Sequence, residues 1–179
     1  MITIFAALLA LSAVLVSCGS SAPEGMVALE GDNTTYNIYV PETWAAALSG
    51  GAVSAYAEDM SNISVQTVAI PKNDAGERLY EDLNDFCENG LKMSISSSFS
   101  DIKYAETSED ALGGEKALTI SYIVTVFDVS AKTSKEYTVM QTVTERRDNF
   151  YILTYTAESA NYSKHTDEVK SVVSNFSFK

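Results

Sequence analysis

Apolar and polar residues alternate between residues 115 and 157, which is the pattern of β-strands that bury one face. Three successive runs, 116–127, 135–146 and 149–157, are rich in Val, Ile, Thr, Tyr and Phe and are separated by short polar loops. They predict a long antiparallel meander. The side chains expected to share one face are Leu118, Ile120, Tyr122, Val124 and Val126 in the first run, and Tyr137, Val139 and Val143 in the second.

Shorter runs of the same kind precede the meander and predict further strands. They cover residues 26–30, 35–40, 53–58, 63–69 and 102–107. Turn-forming residues separate them: 31–33 lie between the first two, 59–62 between the next two, and 111–114 lead into the meander.

Two segments show helical spacing instead. Asp74 followed by Glu77 resembles a capping box, so a helix is predicted to begin there. Its apolar stripe, spaced by three and four residues, is Tyr80, Leu83, Phe86, Cys87 and Leu91, and the polar stretch 96–98 is expected to follow its end. The second predicted helix spans residues 163–174, with His165, Val169, Val172, Val173 and Phe176 on one face.

Composition limits the class of protein. The chain has 179 residues, 46% of them hydrophobic, which is enough for one domain with its own core. Its formal net charge is −12, from 24 acidic and 12 basic residues. Such a surface repels phosphate backbones, so we expect no nucleic-acid partner.

The amino terminus predicts membrane targeting. Residues 2–16 form an apolar run without a charged side chain, which is short for a bilayer span and typical of a signal-peptide core. Leu15-Val16-Ser17-Cys18 then resembles the lipobox of bacterial lipoproteins, in which the cysteine thiol receives the lipid. We therefore predict a cleaved signal helix at 1–17, lipid attachment at Cys18, a flexible tether at 18–25 and one domain at 26–179.

A family resemblance begins where the second strand closes on Pro41-Glu42-Thr43-Trp44. This ending resembles the opening of PsbP/Mog1-like domains, and the likeness continues through residues 151–157, Tyr162 and 172–176. The resemblance implies an α+β fold in which an antiparallel sheet meander is flanked by helices. It also implies accessory factors and bacterial lipoproteins as relatives, and it names no particular partner for this chain.

Few residues suggest chemistry. Trp44, the only tryptophan, is either a ligand-stacking platform or a plug on the sheet, and the plug is favoured. Cys87 lies in an apolar stripe and is expected to be a small buried hydrophobe. His165, the only histidine, has no motif partner such as Gly-x-Ser-x-Gly, so a half-buried helix residue is expected. No catalytic, metal-ligating or cofactor-binding residue is predicted, and no cofactor.

These observations lead to a functional prediction. The chain is expected to be a membrane-anchored lipoprotein on the extracytoplasmic face of the cell membrane, acting as a non-enzymatic binding or assembly module. Its expected partners are the membrane, through the lipid on Cys18, and an envelope protein or small ligand of unknown identity. The alternative is a carrier or sensor that holds a small hydrophobic ligand between helix and sheet, suggested by ten tyrosines and Trp44.

Overall fold

A computed structural model describes residues 22–29, 35–49, 52–99, 101–128 and 132–179. The predicted signal helix, Cys18, the first half of the tether (18–21) and the turn at 31–33 lie outside the described residues. The strands are β1 (Met26–Ala28), β2 (Tyr36–Asn37), β3 (Tyr39–Pro41), β4 (Ala45–Ser49), β5 (Ala52–Tyr56), β6 (Asn62–Ala69), β7 (Ile102–Leu112), β8 (Glu115–Asp128), β9 (Thr133–Arg146), β10 (Asn149–Glu158) and β11 (Ser177–Phe178).

The helical segments fall into two groups. Between β6 and β7 run α1 (Leu83–Asp85), a π-helical stretch (Phe86–Leu91) and α2 (Lys92–Ser98), which together form what we call the composite helix, 83–98. A 3₁₀ turn (Tyr162–His165) leads into α3 (Thr166–Asn175). No helix within the described ranges is long and apolar enough to cross a membrane.

A seven-stranded antiparallel sheet organises the described residues, in the order β4-β5-β6-β10-β9-β8-β7. The predicted meander is confirmed, because β8, β9 and β10 pair in sequence order. β1 pairs with β3, as the first two predicted strands require, whereas β2 pairs with the carboxyl-terminal β11. The α+β architecture of a sheet flanked by helices is therefore confirmed.

Strand β10 contributes to a hydrophobic core on each face of the sheet. Phe150 and Ile152 belong to the core under the composite helix, whereas Tyr151, Leu153 and Tyr155 belong to the core under α3. This alternation follows from the period of two in a strand. Fully burying one such side chain contributes roughly 1.5–3 kcal/mol. The two cores thus share their central strand.

The start of the composite helix is a correction to the sequence prediction. Asp74 does not cap a helix; it lies in a tight turn in which Asn73 Oδ1 accepts hydrogen bonds from the amides of Ala75 and Glu77, at 3.0 and 2.9 Å. The helix begins eight residues later, where Asp82 Oδ1 accepts from the Asp85 amide at 2.9 Å. The Asn73 side chain closes the turn and accepts the Glu77 amide, which is one of the amides that an Asp74 cap would bind.

Other boundaries also differ from prediction. Residues 96–98 continue the helix, and the hydroxyls of Ser97 and Ser98 donate back to the Ser94 carbonyl instead of ending it. β7 extends past residue 107 to Leu112, and β4 is a strand that the sequence analysis missed. Val126 is 40% exposed, although the other predicted members of its face, from Leu118 to Val124, are buried. It lies beyond the end of the composite helix, beside Phe99.

Candidate binding groove

A groove of about 540 Å³ lies between α3 and the β7–β9 half of the sheet. Val169 and Val172 of α3 are buried in the core, which fixes the helix on the sheet. The neighbouring helix positions form one wall of the groove: Thr166, Lys170, Val173 and Ser174. A volume of this size falls in the range of small-molecule sites.

One end of the groove is aromatic. Tyr162 and Met140 line it, and the buried Tyr155 donates its hydroxyl hydrogen to the Tyr162 carbonyl at 2.8 Å. The two tyrosine rings lie 5.0 Å apart. Burial raises the pKa of Tyr155 to about 12 and also raises the pKa of Tyr162, whose hydroxyl bonds to Ser121. Both phenols therefore stay neutral at physiological pH.

The other end carries a carboxylate. Thr119 Oγ1 donates to Asp110 Oδ2 at 3.0 Å and lies 2.9 Å from Thr142 Oγ1. A hydroxyl has one hydrogen, so Thr142 must be the donor in the second bond once Thr119 gives its own to the carboxylate. Gly113, Gly114 and Phe176 complete this end of the groove. The ordered hydroxyls hold the Asp110 side chain in place.

His165 lies outside the groove, at the start of α3. Its Nδ1 is 2.6 Å from Glu168 Oε2 and its Nε2 is 3.3 Å from Asp59 Oδ2. The His165 ring meets Trp44 edge-on at 5.3 Å between centroids. Because both ring nitrogens face carboxylates, the two contacts are both hydrogen bonds only in the imidazolium form. This histidine cluster fastens α3 to the turn between β5 and β6.

Asp59 is the member of the histidine cluster whose acidity is altered. Hydrogen bonds from Ser61 lower its pKa; burial acts in the opposite direction, and the contact with His165 lowers the pKa further. Sequence reasoning identified the turn that contains Asp59 but not its pairing with His165. The two residues are far apart in the chain, and no local pattern joins them.

The remaining sequence candidates do not assemble into a site. Trp44 is 5% exposed, which confirms the plug, and it does not line the groove. Cys87 is a fully buried free thiol, and burial raises its pKa to about 12. It lies in the core under the composite helix, on the opposite face of the sheet from His165. Among the described residues, no three His, Cys, Asp or Glu side chains are placed to hold a metal ion.

A second, shallower concave surface of about 360 Å³ lies on the composite-helix face. Phe99, Tyr122, Val126 and Tyr137 contribute to it. The hydrophobic pattern predicts that Val126 and Tyr137 lie on buried faces of their strands. The concave surface is exposed because the composite helix ends at Ser98, before covering it.

Comparison with known proteins defines the class of domain. The family described as PsbP matches residues 24–178, so the chain belongs to the PsbP family. No curated protein matches the chain.

Solved structures show the same fold. The solution structure of the cyanobacterial PsbP protein CyanoP from Synechocystis sp. PCC 6803 matches with a TM-score of 0.61 and 19% identity, over 92% of this chain and 99% of that one. The Ran-binding protein Mog1p of Saccharomyces cerevisiae matches with a TM-score of 0.56 and 8% identity, over 84% and 94%. LpqN of Mycobacterium tuberculosis, a protein involved in cell envelope biogenesis, matches with a TM-score of 0.50 and 10% identity, over 86% and 90%.

Proposed function

We propose that this chain is a membrane-anchored extracytoplasmic lipoprotein whose PsbP-family domain acts as a non-enzymatic binding or assembly module. The observation that carries the binding role is the groove between α3 and the sheet, the larger of the two concave surfaces described here. The fold shared with a Ran-binding protein and with a protein of cell envelope biogenesis is consistent with such a role.

The placement of reactive groups supports a binding role over catalysis. Cys87 is buried with a pKa raised to about 12, so its thiol is not a ready nucleophile. Both ring nitrogens of His165 contact carboxylates, and His165 lies on the face of the sheet opposite Cys87. If Cys87→Ala or His165→Gln abolished a measurable turnover while leaving the thermal melt unchanged, the non-enzymatic proposal would be wrong.

The anchor is proposed at Cys18. Each CH₂ group buried in a bilayer contributes about 0.8 kcal/mol, so two acyl chains hold a protein that one chain would hold only marginally. The mature protein should fractionate with membranes and resist high-salt washing, because salt screens charge attraction and not hydrocarbon burial. Cys18→Ser should either remain an unprocessed precursor or appear as a soluble chain.

Metabolic labelling with a clickable fatty acid and the mass of the amino-terminal peptide test the anchor directly. The expected mature chain starts at a lipid-modified Cys18. A mature chain that starts elsewhere, or an unlabelled Cys18, would refute the anchor without affecting the role of the groove.

The binding role is tested by site-specific photo-crosslinking in intact cells. A photoreactive residue at Val173, on the groove wall, should yield a discrete product, whereas the same residue at the exposed Gln66 on β6 serves as the matched control. Equal products from both positions would indicate random collision. Absence of any product at Val173 would contradict binding in the groove.

A second candidate function is a carrier or sensor of a small hydrophobic ligand. The specific observation in its favour is the apolar and aromatic lining of the groove, from Met140 and Tyr162 to Val173 and Phe176. Native mass spectrometry of protein extracted from its own membranes should then show a small molecule at one copy per chain. A mass equal to that of the lipidated chain alone would count against the carrier.

A further inference from the structure

We propose that the groove binds an amphiphile with one alkyl chain and a cationic head group, and that the head group lies at Asp110. This inference rests on the carrier function proposed above and adds the class of ligand. The groove supplies an apolar channel with the Asp110 carboxylate at one end. The negative potential of the surrounding protein attracts a cation.

The channel has the shape for a chain. Its helical wall runs from Thr166 to Ser174, two turns of α3 and about 12 Å at 1.5 Å per residue. Met140, Val173 and Phe176 line this length, and Tyr162 closes the far end. An extended alkyl chain fills such a channel better than a compact polar metabolite, because most of the lining surface is apolar.

The register of the sheet separates the two ends. Tyr155 of β10 pairs with Met140 of β9, whereas Asp110 of β7 pairs with Ala117 of β8, which in turn pairs with Thr144. Thr144 lies four residues along β9 from Met140, so the Asp110 backbone is displaced from the Tyr155–Met140 level by about 13 Å along the strands. Its carboxylate reaches back to Thr119, which pairs with Thr142, two residues from Met140. The apolar end and the anionic end are therefore distinct.

Asp110 has free capacity for a donor. Its Oδ2 accepts from Thr119, and its Oδ1 accepts from the Ala111 amide at 2.8 Å. A carboxylate has about four lone-pair positions, so roughly two remain for a ligand. Because Thr119 is itself held by Thr142, the carboxylate is positioned before any ligand arrives.

The end of α3 adds to the negative potential beside Ser174 and Phe176. The carboxyl end of a helix carries roughly half a negative charge, and the last turn of α3 contains no basic residue to offset it. The whole chain has a formal charge of −12. A cationic head group is attracted to this end, whereas a fatty acid or phosphate head group is repelled.

Two cations in this part of the fold are already paired. Lys170, on the groove wall, lies 3.4 Å from Asp167, and Arg146 lies 3.6 Å from Glu115. The Arg146 guanidinium also stacks over Phe178 at 4.5 Å. Neither cation has Asp110 as its partner, so neither occupies the carboxylate.

The test compares three amphiphiles of equal chain length: dodecylamine, dodecanol and dodecanoate. The full chain is reconstituted in lipid nanodiscs, with methionine methyl groups labelled for NMR. Met140, in the groove, reports binding, and Met93, exposed on the composite helix, serves as the internal control. We expect saturable shifts at Met140 only, with dodecylamine binding about tenfold more tightly than dodecanol and dodecanoate most weakly.

Matched variants separate head-group recognition from the channel. Asp110→Asn should weaken dodecylamine about tenfold and leave dodecanol unchanged. Glu109→Gln removes the same charge from the adjacent position on the other face of β7, where it pairs with Lys116, and should change neither affinity. Val173→Trp should fill the channel and abolish binding of all three probes. Comparing variants in identical nanodiscs cancels partition into the lipid.

The outcomes distinguish this inference from the carrier function. Equal binding of dodecylamine and dodecanol with no effect of Asp110→Asn would overturn the cationic head group and leave a hydrophobic carrier. Absence of saturable shifts at Met140 for all three probes would overturn both. An Asp110→Asn protein with a changed spectrum at Met93 would be replaced by Asp110→Glu, which keeps the charge and should retain the preference for dodecylamine.

Discussion

Gly113 and Gly114 form the turn from β7 to β8, and they tolerate substitution differently. Both have left-handed backbones, with φ of +62° and +84°. A Cβ at Gly113 would lie 2.6 Å from Phe178 Cδ2, whereas one at Gly114 meets nothing within 4 Å. Of the two positions, only Gly113 therefore lacks room for a side chain, because Phe178 packs against it.

We predict that Gly114→Ala costs about 1 kcal/mol, from the left-handed backbone alone. Gly113→Ala should cost about 3 kcal/mol, because the added methyl group also displaces Phe178. Urea denaturation of both variants measures the difference. Equal losses would mean that Phe178 moves aside freely.

The histidine cluster makes a pH-dependent contribution to stability through Asp59. Its folded pKa is lowered, so its stabilisation is present above the ordinary value of 3.8 and is lost as the pH falls through the lowered pKa. Asp59→Asn should therefore reduce the free energy of unfolding at pH 7, and this deficit should disappear under strong acid. Glu58→Gln, at an exposed neighbour, is the control for loss of one charge. A deficit independent of pH would contradict the ionic origin.

Single residues were predictable where a local period determined their environment. Cys87 and Trp44 are buried and His165 is half-buried, as their positions in the apolar patterns indicate. Long-range partners were not predictable. Asp59 meets His165, and Thr119 meets Asp110, only because the sheet brings distant segments together.

At the scale of elements, the beginning of the composite helix can be tested by comparing two aspartates. Asp82→Ala removes the acceptor for the Asp85 amide and should cost about 1 kcal/mol. Asp74→Ala should have little effect, since Asn73 and not Asp74 closes the preceding turn. Thermal melts of the two variants compare them. A larger loss of thermal stability for Asp74→Ala than for Asp82→Ala would support a helix that begins at Asp74, as the sequence pattern predicts.

The strands of the meander were predictable, whereas β4 and the helix start were not. Val, Ile, Thr and aromatic residues alternate through β8, β9 and β10. This pattern predicts a strand from the segment alone, with no knowledge of the strands beside it. β4 reads Ala-Ala-Ala-Leu-Ser and becomes a strand by pairing with β5. In the turn that follows β6, Gly76 adopts a φ of +81°, which ends any helix attempted from Asp74.

At the scale of the whole molecule, Leu153 tests the arrangement of the two faces. It is fully buried at the centre of β10, so Leu153→Asp would place an unpaired charge in the core under α3 at a cost of several kcal/mol. We expect loss of the cooperative melt in circular dichroism. Thr67→Asp, at an exposed position on the adjacent β6, is the control and should leave the melt largely unchanged.

The fold class was predictable because it follows from the number and type of elements, but the groove was not. Its existence depends on where α3 packs: Val169 and Val172 lie in the core together with Val40 of β3 and residues of β10, and the groove opens between α3 and the β7–β9 half of the sheet. The hydrophobic period of α3 specifies which helix face is buried and not which strands it covers. The sequence predicts a ligand between helix and sheet, and the groove is the place where this proposal can be tested.

The pairing of β6 with β10 determines when this domain can form during synthesis. Asn149 pairs with Ala69, so the centre of the sheet joins segments separated by nearly half of the chain. Closing so long a loop carries an entropic cost before the contacts form, and folds of high contact order form slowly. A chain ending at residue 148 has no β10, which leaves β6 and β9 with open edges and both cores without their shared strand. Folding must therefore wait for nearly the entire chain.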